Sequence, residues 1–209
     1  MQIHTTLEQL TSMEQREKAH LINSLGGFKS VCLIGTTDKA GKTNTAIFNS
    51  IVHIGANPPL ICFVIRPDSV ERHTLSNILE TGFYTINHII EFIYKEAHHT
   101  AARYEKEISE FEATGLSEEY KNKFIAPYVK ESIIQMGMAF KQRIDISLNN
   151  TILIIGEINH LYFPSDCRCE QLLQTGCGHS NLSGERRRLP RPVVQGSLGR
   201  RTALPLKLD

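Results

Sequence analysis

The chain is 209 residues long, 41% hydrophobic and 22% charged, which suits one globular domain with a sizeable core, or such a domain plus a tail. Its 23 basic and 22 acidic residues leave a net charge of +1, so no global field draws it to nucleic acid or to an acidic membrane surface. No apolar run approaches the length of a membrane span, and Met1 to Leu10 lacks the charged start and apolar core of a secretory leader, so a cytoplasmic protein is expected.

Thr11-Ser12-Met13-Glu14-Gln15 has the pattern of a capping box, with Ser12 as N-cap and Gln15 reaching back, and Gly26-Gly27 stops the helix between. Lys29 to Thr37 predicts a first strand and Asp38 to Lys42 a hairpin turn. The glycine in that turn makes no phosphate loop, because the eight-residue spacing and the following helix are both missing. Thr43 to Ile54 mixes β-branched and apolar residues and predicts a second strand. Gly55-Ala56-Asn57-Pro58-Pro59 must turn, since a double proline cannot sit in a central ladder, and Leu60 to Ile65 is an apolar run of strand length. Arg66-Pro67-Asp68-Ser69 resets the chain, Arg72 to Leu79 has helical spacing ended at Thr81-Gly82, and Phe83 to Ile90 resumes as a strand.

Glu91 to Leu116 carries an amphipathic series broken near His98-His99-Thr100, read as helical segments over a sheet edge. Ser117 to Lys123 predicts another short helix, and Phe124 to Val129 opens a β region. Ile133 to Leu148 and Thr151 to Phe163 form a hairpin through Asn149-Asn150, a pair tolerant of positive φ, and Ile152 to Ile155 reads as buried on both faces. The expected division is a helical segment over residues 1–28, a domain over 29–163, and an atypical tail over 164–209. Prolines, glycines and Arg186-Arg187-Arg188 replace the periodic pattern in that tail, which reads as disordered or as out-of-frame translation.

The chemistry concentrates between Thr43 and His88. Asn44, Thr45, Asn49 and Ser50 interrupt an otherwise apolar strand, and buried amides and hydroxyls need a ligand, a neighbouring backbone or water. Arg66, Arg72, His73 and Thr74 follow, the last three at a helix entrance, where free N–H groups and the helix dipole favour an anion such as phosphate. The plainer alternatives are a strand whose polar groups bond to their neighbours, and arginines paired with Asp68 and Glu71.

The segments N-T-A-I-F-N-S (Asn44–Ser50), N-P-P, R-P, R-H-T-L-S-N-I (Arg72–Ile78) and T-G-F-Y-T-I-N (Thr81–Asn87) together resemble the flavin reductase-like family of FMN-binding split barrels. So do A-x-Y-x-x-E-x-S-E-F-E (Ala102–Glu112) and I-I-G-E-I-N-H, the similarity running from about residue 15 to 163. The resemblance implies a mainly β fold with peripheral helices, a six-stranded antiparallel split barrel that forms a homodimer. It implies that Asn44, Thr45, Ala46, Asn49 and Ser50 line the isoalloxazine of FMN, and that Arg66, Arg72, His73, Thr74 and Asn77 hold its tail. It further implies NADH or NADPH as a transient electron donor, and an oxygenase or redox protein as partner. No G-x-G-x-x-G fingerprint opens a βαβ unit, so a nicotinamide would stack on the flavin rather than dock on a Rossmann domain, and no obligatory catalytic acid or base is expected.

The other candidates have plain readings. Cys32 and Cys62 sit in apolar runs and read as buried thiols. Cys167, Cys169, Cys177 and His179 are soft ligands, but their spacing fits none of the usual zinc motifs, so no metal is expected. His98 and His99 read as a solvated pair, Arg186 to Arg188 as a cluster too short to grip RNA, and His160 as either near the flavin's open face or a strand-end polar residue.

Overall fold

The computed structural model describes residues 2–27, 29–67, 73–102, 104 and 108–165. Residues 1–29 and 30–193 fall in separate units. The first holds α1 (Leu7–Ser12) and α2 (Gln15–Ser24). The capping box sits earlier than expected: Gln9 N–H donates to Thr6 Oγ1 at 3.3 Å and Thr6 N–H to Gln9 Oε1 at 2.8 Å. Ser12 ends α1 instead, its hydroxyl bonded back to the Gln9 carbonyl at 3.0 Å, and the Glu14 carboxylate caps α2 by accepting from Arg16 and Glu17 N–H. A carboxylate answers the free N–H groups of a helix start more strongly than a hydroxyl does.

The second unit is an antiparallel sheet of seven strands with helices on its periphery. Its strands are β1 (Cys32–Thr37), β2 (Thr43–Phe48), β3 (Ile51–Ala56), β4 (Pro59–Ile65), β5 (Phe83–His88), β8 (Gln135–Ile146) and β9 (Thr151–Tyr162), in the order β2-β1-β5-β8-β9-β4-β3. The expected strand from Thr43 to Ile54 is therefore two strands, which raises six to seven. Asn49 and Ser50 carry the break, and β2 and β3 stand at opposite ends of the ladder. Laid flat, six strand spacings would put those ends about 29 Å apart. The two-residue link reaches at most about 11 Å between the Cα atoms of Phe48 and Ile51. The sheet must therefore curl until its ends meet at this corner, where Val64 N–H donates to the Ser50 carbonyl at 3.2 Å. No ladder joins β2 to β3 among the described residues, so the barrel is split rather than closed.

β1 shows how the curl is filled. Cys32 and Ile34 face inward with Phe63, Ile65, Tyr84, Ile86, Met136, Met138, Ile152 and Ile154, and helix α3 (His73–Thr81) seals this cluster with Leu75 and Ile78. The alternate residues Val31 and Leu33 pack outward under α4 (Tyr94–His99) and α5 (Glu110–Thr114), through Ala97 and Phe111. α3 stops where expected, at Gly82, whose φ of +78° suits glycine and whose N–H returns to the Ile78 carbonyl.

Ser117 to Lys123 departs from the helix expected there. Glu118–Glu119 (β6) pairs with Tyr128–Val129 (β7) as a small second sheet, and Asn122 and Lys123 take positive φ, which a helix forbids. Ile152 and Ile154 are fully inside while Leu153 and Ile155 are only half-buried, so that run alternates rather than being enclosed on both faces. β8 outruns its neighbour: β5 pairs with it only over Gln135–Ala139, and Lys141–Ile146 continue with β9 alone.

Candidate functional site

The β1–β2 turn sets the site's register. Asp38 N–H donates to the Lys42 carbonyl at 3.0 Å, Lys42 N–H donates to Asp38 Oδ1 at 2.8 Å, and Gly41 takes a φ of +86°. That closure places Thr36 opposite Asn44. Helical spacing puts Thr74, Asn77 and Ile78 on one face of α3, and this face lies on the pair. Asn77 Nδ2 donates to Thr36 Oγ1 at 3.1 Å, and Thr74 Oγ1 lies 3.0 Å from the Asn44 amide.

A small crevice enclosing about 10 Å3, open to solvent, runs between the turn, the head of α3 and α5. Asp38, Lys42, Thr43, Asn44, His73, Asn77, Ile108 and Glu110 line it. Glu110 is the unexpected member, a carboxylate only 7% exposed. An Asn44 carbonyl turned toward it would set acceptor against acceptor, so the amide is oriented with its nitrogen toward both carboxylate oxygens, 3.0 Å from each. Asn44 Oδ1 then accepts from Thr45 N–H at 3.2 Å and from Thr74 Oγ1 at 3.0 Å.

Burial pushes the Glu110 carboxyl above the ordinary carboxyl value, against the smaller opposing pull of its own N–H, the Thr45 N–H and His73. Folding thus favours the protonated form. The stability this brings is full below pH 4.5 and is lost as pH rises through the elevated folded value. The melting temperature of the wild type minus that of Glu110→Gln is expected to widen in the wild type's favour as pH falls from neutral toward that region. Calorimetry at matched ionic strength checks this, and a flat or narrowing difference contradicts it.

Asn44, His73, Thr74 and Asn77 are thus brought together, as the sequence led one to expect, while the others spread along β2 and beyond. Thr45 belongs to the opposite face of β2, fully buried, and its Oγ1 has no hydrogen-bond partner among the described residues. The side chains of Asn44 and Thr45 therefore cannot line one surface together, because successive strand residues point to opposite faces. Ala46, half-buried, lies opposite Ile34 on the face of Asn44. Asn49 and Ser50 form the half-buried corner, with Ser50 Oγ donating to Asn49 Oδ1 at 3.3 Å. Arg66 is exposed just beyond β4, and Arg72 lies outside the described residues.

Glu110 and Thr36 were not singled out from sequence. Each becomes a neighbour only through folding, and a glutamate after serine reads simply as a first-turn helix acid. His160 stacks on Tyr162, with centroids 6.4 Å apart, and meets the edge of Phe124 at 5.4 Å. It belongs to an aromatic cluster that does not line the crevice. His98 and His99 are exposed at the end of α4. No cluster of three or more metal-ligating side chains occurs among the described residues, and Cys167, Cys169, Cys177 and His179 lie outside them. No helix among the described residues is long and apolar enough to cross a membrane.

Comparison with known proteins bears on what this crevice serves. A crystal structure from Shewanella frigidimarina NCIMB 400, assigned as a flavin reductase with split barrel domain, is 41% identical, covers 91% of this chain and all of its own, and superposes with a TM-score of 0.79. Component B of nitrilotriacetate monooxygenase from Bacillus cereus shares the fold at 20% identity, with a TM-score of 0.72 over 90% of this chain and 99% of its own. Flavoredoxin of Desulfovibrio vulgaris (Miyazaki F) shares it at 21% identity, with a TM-score of 0.60 over 69% of this chain and 75% of its own. The sequence profile of the flavin reductase like domain matches residues 25–176, starting ten residues later than the sequence resemblance and ending thirteen residues beyond Phe163. With most of its length inside that match and its strands curled into the same split barrel, the chain belongs to the flavin reductase-like family.

Proposed function

We propose that the protein is a flavin-dependent oxidoreductase that binds FMN beside the head of α3 and is reduced by NADH or NADPH. The observation that carries this reading is the convergence of Asn44, His73 and Asn77 on one crevice, with Thr74 bonded behind Asn44, in a chain of this family. The residues present fit such a ligand. Asn44, Asn77 and Lys42 line the crevice, the half-buried corner at Asn49 and Ser50 lies beyond it on β2, and a helix start beside His73 suits a phosphate. Arg66 and Arg72 add cationic charge for the same group.

A flavin bound there would supply the hydride-accepting chemistry. The chain's part is to seat and orient it: Ala46, Asn49 and Ser50 along the ring, and the α3 entrance at the tail. The crevice encloses only about 10 Å3, far below the roughly 300–1,000 Å3 that small-molecule pockets occupy. The remaining wall is therefore assigned to a second copy of the chain, in a homodimer. The likeness to flavoredoxin favours a second reading, an electron carrier fed by a partner protein, and the likeness to a monooxygenase component favours an oxygenase as the recipient.

The full chain, reconstituted with FMN or FAD and freed of excess, is expected to keep FMN and its visible absorbance. Anaerobic NADH or NADPH should then bleach it. Retained colour without bleaching assigns the protein as a carrier or a flavin-binding module, and failure to retain either flavin overturns the proposal.

A further inference from the structure

We infer that Glu110 is a positioning residue of the proposed site: it fixes the Asn44 amide, and through Asn44 the Thr74 hydroxyl, so that the head of α3 is held against β2 in one arrangement. Three elements distant in sequence meet in this contact, which is why no local pattern announces it. The two Glu110 oxygens, each 3.0 Å from the Asn44 amide nitrogen, share one of its N–H protons in a bifurcated bond. The Asn44 oxygen receives the Thr45 N–H and the single proton of the Thr74 hydroxyl. Asn44 is 5% exposed and Thr74 5% exposed, so water does not compete for these bonds.

The consequence revises the role expected of Thr74. With its single hydroxyl proton given to Asn44, Thr74 does not offer its side chain to a phosphate as a hydrogen-bond donor. What the contact offers is a fixed head of α3. Asn77, bonded to Thr36, ties the next turn of α3 to β1 in the same way. Removing the carboxylate frees the Asn44 amide to turn over, which frees the Thr74 hydroxyl in turn, and the entrance loses its single geometry.

The functional half of this inference rests on the flavin reading, whereas the positional half does not, so two readouts are taken on the full chain. The first is FMN affinity by quenching of flavin fluorescence. Glu110→Ala is expected to weaken it about tenfold, since the buried Asn44 amide loses its acceptor. Glu110→Gln should stay within about threefold of wild type, because its amide oxygen still accepts from Asn44. Adding Glu110→Ala to Asn44→Ala should cost nothing further, since Glu110 acts through Asn44. The second readout is amide hydrogen exchange across His73–Thr81 without flavin, expected to accelerate in Glu110→Ala and to be restored in Glu110→Gln.

If Glu110→Ala does not fold, Glu110→Asp replaces it, keeping the charge but withdrawing it by one methylene, and is expected to show the same two losses in smaller degree. Unchanged exchange in α3 with unchanged affinity overturns the inference, as does full additivity with Asn44→Ala. If the wild type itself retains no flavin, the flavin reading fails while the exchange data still decide the positioning role.

Discussion

Replacing Phe63 with alanine is expected to lower the unfolding free energy by about 3–5 kcal/mol, the range for deleting a buried phenyl ring. Phe63 is fully buried midway along β4, flanked by Ile51 of β3 and Ile154 of β9. Its ring meets Phe48 of β2 edge-on at a centroid distance of 5.0 Å and Tyr84 of β5 at 5.6 Å. It thus touches residues from both ends of the sheet, at the corner where curling brings them together, and the truncated side chain leaves a void that rigid strands cannot collapse into. Tyr84 has no room to follow, since its ring already fills the place where any Gly156 side chain would stand. Urea titration should show a lower midpoint with an unchanged slope. A loss under about 1 kcal/mol would mean that Phe63 does not hold the corner, and Phe63→Leu should recover more than half of the loss.

Asn87→Ala is expected to cost about 3–5 kcal/mol for a different reason. The Asn87 amide, wholly enclosed, donates to the Leu33 carbonyl at 3.2 Å and to Thr85 Oγ1 at 2.9 Å, and accepts the Val129 N–H at 3.0 Å. The two donated bonds, at roughly 1 kcal/mol each, are lost, and the Val129 N–H is left buried without its acceptor at about 1–3 kcal/mol more. Thr85 extends the tie to the same segment by donating to the Pro127 carbonyl at 2.6 Å. The β6–β7 sheet is therefore fastened to the barrel through side chains of β5. Hydrogen exchange should show residues 126–129 opening well before the central strands in Asn87→Ala, and if the two still open together, the fastening lies elsewhere.

Elements whose reasons are local were legible in the sequence. The apolar run of β4, the glycine ending α3 and the Asn149-Asn150 hairpin each carry their cause within a few residues and stand where expected, while the turn at the double proline narrows to Asn57-Pro58, with Gly55, Ala56 and Pro59 paired in the ladder. The break at Asn49–Ser50 has no proline or glycine to mark it, because closing the sheet rather than local chain stiffness demands it. Glu118–Glu119 has poor strand propensity and pairs only because Tyr128–Val129 arrives beside it.

The site divides in the same way. Asn44 was legible as a polar group interrupting an apolar strand, His73 and Thr74 as donors at a helix entrance, and Asn77 only through the family resemblance. Their partners were not, since Asn77 meets Thr36 across 41 residues and Asn44 meets Thr74 across 30. The sequence pattern marks that a buried amide needs a partner without saying which one.

The outer half of β8 has one further consequence. From Lys141 to Ile146 it keeps β9 on one side and, among the described residues, pairs with no strand on the other, an edge that could serve as a template for a foreign strand. Lys141, Arg143 and Asp145 occupy every second position of that rim, exposed and engaged in ion pairs at 2.6 Å with Glu157 and 2.7 Å within the strand. An incoming strand would have to strip water from these charges to dock. The fringe thus repels fibril-like stacking, and a neutralised rim would trade that protection for stickiness.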